Sequence, residues 1–157
     1  ETKVVQYLEL LKDVIGFETV KEKDLGALCR LYLQLVDDMD EQKMKKTFEE
    51  IKDDSHYKLF GVYNDAGELI ATASLTKCFD LTEDARYYYS MENFVVDKNC
   101  RRQGAGTFLL KCLEDYVKEN GGRYINFTSS AWRHSAHIFY ESAGYPSDKV
   151  KGFKKEF

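Results

Sequence analysis

The segment that most limits the fold runs from a strand-like stretch, Tyr87–Asp97, through a basic turn into Gly104-Ala105-Gly106 and a strongly amphipathic helix over about Ala105–Asn120. The helix carries Phe108, Leu109, Cys112, Leu113, Tyr116 and Val117 on one face, the spacing of a 3.6-residue period. Gly121-Gly122 stops it, and a second strand-like run, Tyr124–Ser129, follows. Strand, helix and strand in that order form a crossover unit, whose helix must cover one face of a sheet.

The rest of the chain supplies antiparallel neighbours. Tyr57–Tyr63 and Glu68–Phe79 alternate like strands, and Asn64-Asp65-Ala66-Gly67 between them signals a hairpin. Phe17–Val20 reads as a short strand. Asp24 is placed to cap a helix whose apolar face is Leu25, Leu28, Leu31, Leu35 and Val36. A second helix, about Glu41–Lys52, is mostly polar, with only Met44, Phe48 and Ile51 apolar on its inner side. An extra N-terminal helix is expected at about 2–14, a short one over Ser135–Ser142, and a last strand in Val150–Phe157. No repeat or linker interrupts the pattern, so residues 1–157 are expected to form one α/β domain. The 43% hydrophobic content of 157 residues is enough for one core.

Charge and cysteines narrow the function. A net charge of −4 disfavours a broad nucleic-acid surface but leaves room for a small anion at one local site. The cysteines, Cys29, Cys78, Cys100 and Cys112, form no C-x-x-C pair and have no histidines at zinc spacing, so no metal site is expected. Free thiols fit a reducing, cytoplasmic setting. No apolar run approaches the roughly 20 residues of a membrane span, so no membrane partner is expected. Glu1–Asp13 is mixed and charged, unlike a secretory leader.

Chemistry concentrates in Met91–Thr107. Glycines let the backbone approach a ligand closely, and the first N–H groups of a helix together with its dipole favour an anion. Arg101 and Arg102 add positive charge beside them. Taken alone, the glycines can equally just turn the chain. A Walker loop needs G-x-x-x-x-G-K followed by Ser or Thr, which is missing. A dinucleotide fingerprint needs a third glycine at position 109, where leucine stands.

What remains is R-x-x-G-x-G at Arg101, Gly104 and Gly106, after the strand Phe94-Val95-Val96-Asp97. It resembles the acetyl-CoA pyrophosphate loop of the GNAT superfamily of N-acetyltransferases. A second segment lies about thirty residues on: Arg133-His134-Ser135-Ala136-His137-Ile138-Phe139-Tyr140-Glu141, then Gly144-Tyr145. It is similar to that family's R-x-x-A-H-x-F-Y-E-x-x-G followed by Phe or Tyr. The resemblance covers about residues 15–157.

The resemblance implies a mixed, mostly antiparallel sheet, with strands four and five splayed and helices on both faces. It implies acetyl-CoA as donor, with the pantetheine arm along the backbone of Phe94, Val95 and Val96. Arg101 and the loop Arg102, Gln103, Gly104, Ala105, Gly106 and Thr107 would hold the pyrophosphate. It implies direct attack of a deprotonated primary amine on the thioester. Tyr140 matches the usual general acid, and a phenol with pKa near 10 is protonated at neutral pH. Glu92 stands where many members carry a base; nominally it shares a strand face with Phe94 and Val96. His134 and His137 are alternative proton carriers. Thr128 and Ser129 can bond pantetheine or substrate, or merely end the strand. Arg133 departs from the asparagine common in the family and can reach a phosphate or a substrate anion. The combination looks most like small-amine acetyltransferases. A protein or peptide N-acetyltransferase and a non-catalytic acyl-CoA sensor are the alternatives. Asp37, Asp38, Asp40 and Glu41 can attract a cationic amine, or simply solvate a loop. One of Tyr87, Tyr88 and Tyr89 can enter the acceptor pocket. A homodimer is permitted, though no feature selects an interface.

Overall fold

Leu59 and Phe60 are consecutive, so on a strand they face opposite ways, and both are buried. That is the simplest sign of a sheet covered on two faces. The structure, a computed structural model, describes residues 16–157. The helix expected at 2–14 lies outside the described residues. The chain divides into two compact units, one ending at Asn126 and the other spanning Phe127–Phe157.

The first unit contains β1 (Gly16–Thr19), a 3-10 turn (Glu22–Asp24), α1 (Leu25–Tyr32), α2 (Glu41–Ile51), β2 (Tyr57–Tyr63), β3 (Leu69–Cys78), β4 (Tyr88–Val96), α3 (Ala105–Glu119) and β5 (Ile125–Asn126). The five strands lie side by side in chain order. Pairs β1–β2, β2–β3 and β3–β4 are antiparallel, and β4–β5 is parallel. This is the mixed, mostly antiparallel sheet that the sequence implies.

One face packs on α1 and α2 through Val20, Leu25, Leu28, Leu31, Phe48, Leu59, Leu69 and Val95. The other packs on α3, where the Phe60 ring meets Tyr116 edge-on at 4.9 Å. Leu109 and Leu113 of α3 are fully buried. Burying each such side chain contributes about 1.5–3 kcal/mol. As its composition suggests, α2 buries only Phe48.

Caps and turns come out unevenly. Asn64 Oδ1 accepts from the Ala66 and Glu68 amides, and Gly67 takes φ 76, which closes the β2–β3 hairpin. Asp40 caps α2 by accepting from the Lys43 amide at 3.0 Å. Asp24 stands at the N-cap of α1 but makes no capping bond; its carboxylate accepts instead from the Tyr63 hydroxyl at 2.8 Å. A long-range side-chain partner has displaced the local one.

Two strand expectations are corrected. Strand β5 is two residues long rather than running Tyr124–Ser129. Phe127 beyond it instead puts its ring against Tyr140 and Tyr145 in the second unit, at 4.5 and 5.3 Å. Residues 150–157 form no strand; all are exposed, Phe153 and Phe157 almost wholly, so their apolar side chains supply no burial to dock one. The second unit's helix, α4 (His134–Ser142), begins one residue before the expected start.

Gly122 follows α3, and its amide donates to Val117 O at 2.8 Å. A Cβ there would lie 2.5 Å from Val117 Cγ1 and 2.7 Å from the buried Tyr89 ring. Neither neighbour is a flexible tip, so Gly122→Ala is expected to cost about 1–3 kcal/mol by overpacking. Urea denaturation checks this, and an unchanged midpoint would contradict the packing described.

Candidate functional site

Strand β4 does not alternate regularly. Thr72 pairs with Val95 and Ser74 with Glu92, so Ala73 alone faces both Asn93 and Phe94. This is a β-bulge, and Asn93 takes φ 52, in the left-handed region. The extra residue shifts the phase of everything after it. Glu92, opposite Ser74 and Leu59, lies on the face covered by α1 and α2, and so does Val95. Phe94 and Val96 turn to the other face. The expected grouping of Glu92, Phe94 and Val96 on one face is therefore overturned. Glu92 and Asn93 are both exposed, whereas Phe94 and Val95 are buried.

The other edge of β4 opens early. It pairs with β3 from Tyr88 to Val96, but with β5 only at Tyr89↔Ile125 and Ser90↔Asn126. Met91–Val96 continue past the end of the parallel ladder.

The loop after β4 is built by its own hydrogen bonds. The Asp97 carboxylate accepts from the Asn99 amide at 2.8 Å, and its carbonyl accepts from Cys100 at 2.8 Å. Gln34, just after α1, accepts from the Lys98 amide. Arg101 Nε donates to Val96 O at 3.1 Å, tying the arginine to the strand end. Arg102 takes φ 61 and Gly104 φ 90. Left-handed residues within a turn make successive N–H groups converge into an anion-binding nest. Gly104 then serves as N-cap of α3 with no side-chain cap. The first intrahelical bond there is Phe108 N–H to Gly104 O, at 2.9 Å. The N–H groups of Ala105, Gly106 and Thr107 therefore point out of the helix end. Arg101, Arg102, Gln103 and Thr107 are exposed around them. Outward N–H donors, a helix dipole and two guanidinium groups suit a pyrophosphate on donor chemistry alone.

Tyr140 belongs to the second unit, on α4, where it is buried. Phe127 and Phe139 lie against its ring at 4.5 and 5.4 Å. Burial pushes its phenol above the ordinary tyrosine value, and the Arg133 charge pulls the other way. The ring of His137 is tied to Ser130 O at 3.0 Å, and His134 is exposed. Ser129 Oγ is buried without a hydrogen-bond partner, the one such side-chain atom among the described residues.

Other candidates are used locally. Asp40 caps α2, and Glu41 pairs with Lys45 at 2.8 Å. Tyr89 is buried, Tyr88 stacks on Tyr124 at 5.0 Å, and Lys77 sits over the Tyr87 ring at 3.7 Å. Burial and the Asp97 charge raise the Cys100 thiol, and burial lifts Cys112 to about 11.

Sequence reasoning missed Arg123. Its half-buried guanidinium lies 2.7 Å from Glu83, 3.6 Å from Asp84 and 3.8 Å from Asp80, gathering the β3–β4 connection. Glu83 and Ala85 in that connection take positive φ. Three acidic residues in Asp80–Arg86 were the available signal, but nothing local names their partner about forty residues away.

The model of the acetyltransferase (GNAT) family matches residues 25–145. Among solved structures, a transcriptional regulator from Bacillus halodurans has 24% identity and TM-score 0.80, with 91% of this chain and 99% of that one covered. The glucosamine-6-phosphate N-acetyltransferase of Arabidopsis thaliana has 21% identity and TM-score 0.77, covering 91% and 98%. An aminoglycoside antibiotic 6'-N-acetyltransferase from Acinetobacter baumannii has 17% identity and TM-score 0.74, covering 91% and 99%. At such identities these likenesses speak for the fold. Among curated proteins, none matches the sequence.

Arg123→Ala removes the charge that, among the described residues, faces all three acidic groups of the β3–β4 connection. The connection should then be cut faster by a protease selective for acidic residues. Limited proteolysis checks this, and unchanged cleavage between Asp80 and Arg86 would refute the clamp.

Proposed function

The chain belongs to the GNAT family of acetyltransferases, and on that premise we propose that it moves the acetyl group of acetyl-CoA to a primary amine on a small molecule. The observation that carries the donor assignment is the end of α3. Three outward N–H groups follow a left-handed glycine, with Arg101 and Arg102 beside them. The backbone from Arg102 to Thr107 would hold the pyrophosphate, and Phe94, Val95 and Val96 the pantetheine arm. Acetyl-CoA supplies the activated acyl group as a thioester.

The chain's own residues supply binding and proton control. Glu92, exposed where β4 bulges, takes the proton of the attacking amine, directly or through water. Tyr140 holds the proton for the departing thiolate, and its raised pKa keeps it in the acid form well above neutrality. The amine attacks the thioester directly, as the family resemblance implies, and the raised Cys100 and Cys112 thiols are poorly suited to carry the acyl group.

The glucosamine-6-phosphate and aminoglycoside enzymes that share the fold support a small-molecule acceptor. The family match runs through both compact units, which supports reading the chain as one catalytic domain. Four free thiols support a cytoplasmic setting. Among the described residues, no helix is long and apolar enough to cross a membrane.

The deciding experiment measures thiol release from acetyl-CoA against small primary amines and basic peptides, with CoA-induced thermal stabilisation in parallel. Turnover on a small amine is the expected result. Turnover on peptides alone would move the acceptor to proteins, and stabilisation without any turnover would favour a sensor. Tyr140→Phe should lower kcat by about 100-fold, the low end for a lost general acid. Its CoA stabilisation should be unchanged; a wild-type rate would refute the acid assignment. Gly104→Val should abolish the CoA stabilisation, because a β-branched residue cannot hold φ 90. With the phenol pKa raised, the rate should climb as the acceptor amine deprotonates and not fall until above about pH 10.

A further inference from the structure

We propose that the crevice between the end of β1, the C-terminal end of α2 and the start of β2 is a second small-molecule site, for an organic amine that carries its ammonium on an apolar body. The cavity has a volume of about 330 Å³ and lies wholly in the first unit. None of the residues proposed for acetyl transfer lines it, so the inference stands apart from that reading.

The cavity follows from how little α2 covers. That helix buries only Phe48, so the sheet beside its last turn is left open. Val20, Phe48 and Leu59, all part of the core under α1 and α2, form the inner wall. Ile51 and Tyr57 carry the wall outward and are half-buried. The volume falls at the lower end of the roughly 300–1,000 Å³ usual for ligand pockets, and the lining is apolar where it is deepest. A single ring or a short branched chain suits that space.

The mouth selects the charge. Lys21, Glu22, Lys52 and Asp53 stand there, all exposed. Lys52 is engaged by Glu49 at 2.6 Å, with Glu22 and Asp53 in its wider field. Three carboxylates thus share one ammonium, and neither Glu22 nor Asp53 has an ion pair of its own among the described residues. The other two lysines do little to change this. Lys58 borders the cavity between Tyr57 and Leu59 on β2, so its side chain turns to the opposite sheet face. Lys21 has extended backbone, at φ −110 and ψ 164, which directs it away from the side that buries its neighbour Val20. The C-terminal end of α2 adds negative partial charge, and its last turn holds no basic residue. The ring faces of Phe48 and Tyr57 likewise favour a cation over an anion. An ammonium at this mouth supplies the missing positive charge, whereas a carboxylate adds a like one.

The test titrates the whole chain, without acetyl-CoA, with N,N-dimethylphenethylamine. This probe is a tertiary amine that forms no stable amide, so its binding does not depend on acetyl transfer. Its anionic counterpart of similar length is 3-phenylpropionate. Methyl NMR should show saturable shifts at Val20 and Ile51, with the anion binding about fivefold more weakly, as for exposed charges. Ile51→Trp, which fills the cavity, should weaken the amine by about tenfold. Glu22→Gln combined with Asp53→Asn leaves the apolar wall intact and should abolish the preference for the amine over the anion. Shifts confined to other parts of the molecule, equal binding of the two probes by the wild type, or undiminished affinity in Ile51→Trp overturns the site. A preference retained in the Glu22 and Asp53 variant overturns the charge assignment. A protein that moves no acetyl group counts against the acetyl-transfer reading alone, since the titration needs no turnover.

Discussion

One extra residue in β4 governs much of the first unit's geometry. Ala73 faces both Asn93 and Phe94, and because side chains alternate with a period of two, this inserted residue exchanges the faces of all that follows. Val95 thereby joins the apolar cluster under α1 and α2, while Glu92 stays exposed on that same face. Without the bulge, Phe94 would turn its ring toward α1 and Val95 would leave that cluster. The same distortion occurs where β4 outlasts its ladder with β5, at Ser90↔Asn126. A strand edge continuing past its neighbour is a place where an extended ligand can add backbone hydrogen bonds in the manner of another strand.

The end of that strand leads straight into the turn proposed to hold the pyrophosphate. The chain as a whole is acidic, at −4, so a polyanionic cofactor would have to be attracted locally. Arg101 is anchored by its Nε to Val96 O, which keeps its remaining N–H groups near the strand end without a carboxylate partner being required. The N–H groups at the start of α3 contribute partial charge that no side chain neutralises, since Gly104 has none. A Ser or Asp at that N-cap would satisfy one of those donors and compete with the ligand for it. Glycine therefore does two things at this position: it takes φ 90 and leaves the donors outward.

The sequence was legible where period and turn chemistry agree. The hairpin at Asn64–Gly67, the polar α2, and the strand–turn–helix at β4 and α3 follow from local pattern, whereas the Asp40 cap of α2 emerges only in the structure. Long-range partners were not legible. Asp24 forgoes its cap for Tyr63, thirty-nine residues away, and Arg123 finds Glu83 at a separation of forty. Neither choice leaves a trace in the neighbouring residues. The bulge was hidden for a different reason. Glu92-Asn93-Phe94-Val95 alternates acceptably in either phase, and only the packing of Val95 against Leu59 and Leu69 decides between them. Tyr140 was identifiable as a residue type in a motif. Its raised pKa was not, because it comes from burial beside Phe127 and Phe139.

Backbone strain gives an independent view of where function sits. Among the described residues, four other than glycine take positive φ: Glu83, Ala85, Asn93 and Arg102. All fall between residues 83 and 102, a small fraction of the chain. They mark three consecutive structures: the Arg123-clamped connection, the bulge beside Glu92 and the turn that leads into the uncapped N–H groups of α3. Each such conformation costs on the order of 1–3 kcal/mol and persists only where its surroundings over-determine it. Those surroundings can be named at each point. Arg123 gathers Glu83, Asp84 and Asp80; Ser74 holds Glu92 O; and Asp97 and Val96 O tie down the turn before Arg102. A chain selected for stability alone would place glycine at such positions or avoid the conformations altogether. Strain confined to one twenty-residue stretch, with a dedicated partner at each point, is the pattern expected when geometry for ligand and proton is held against the backbone's own preference.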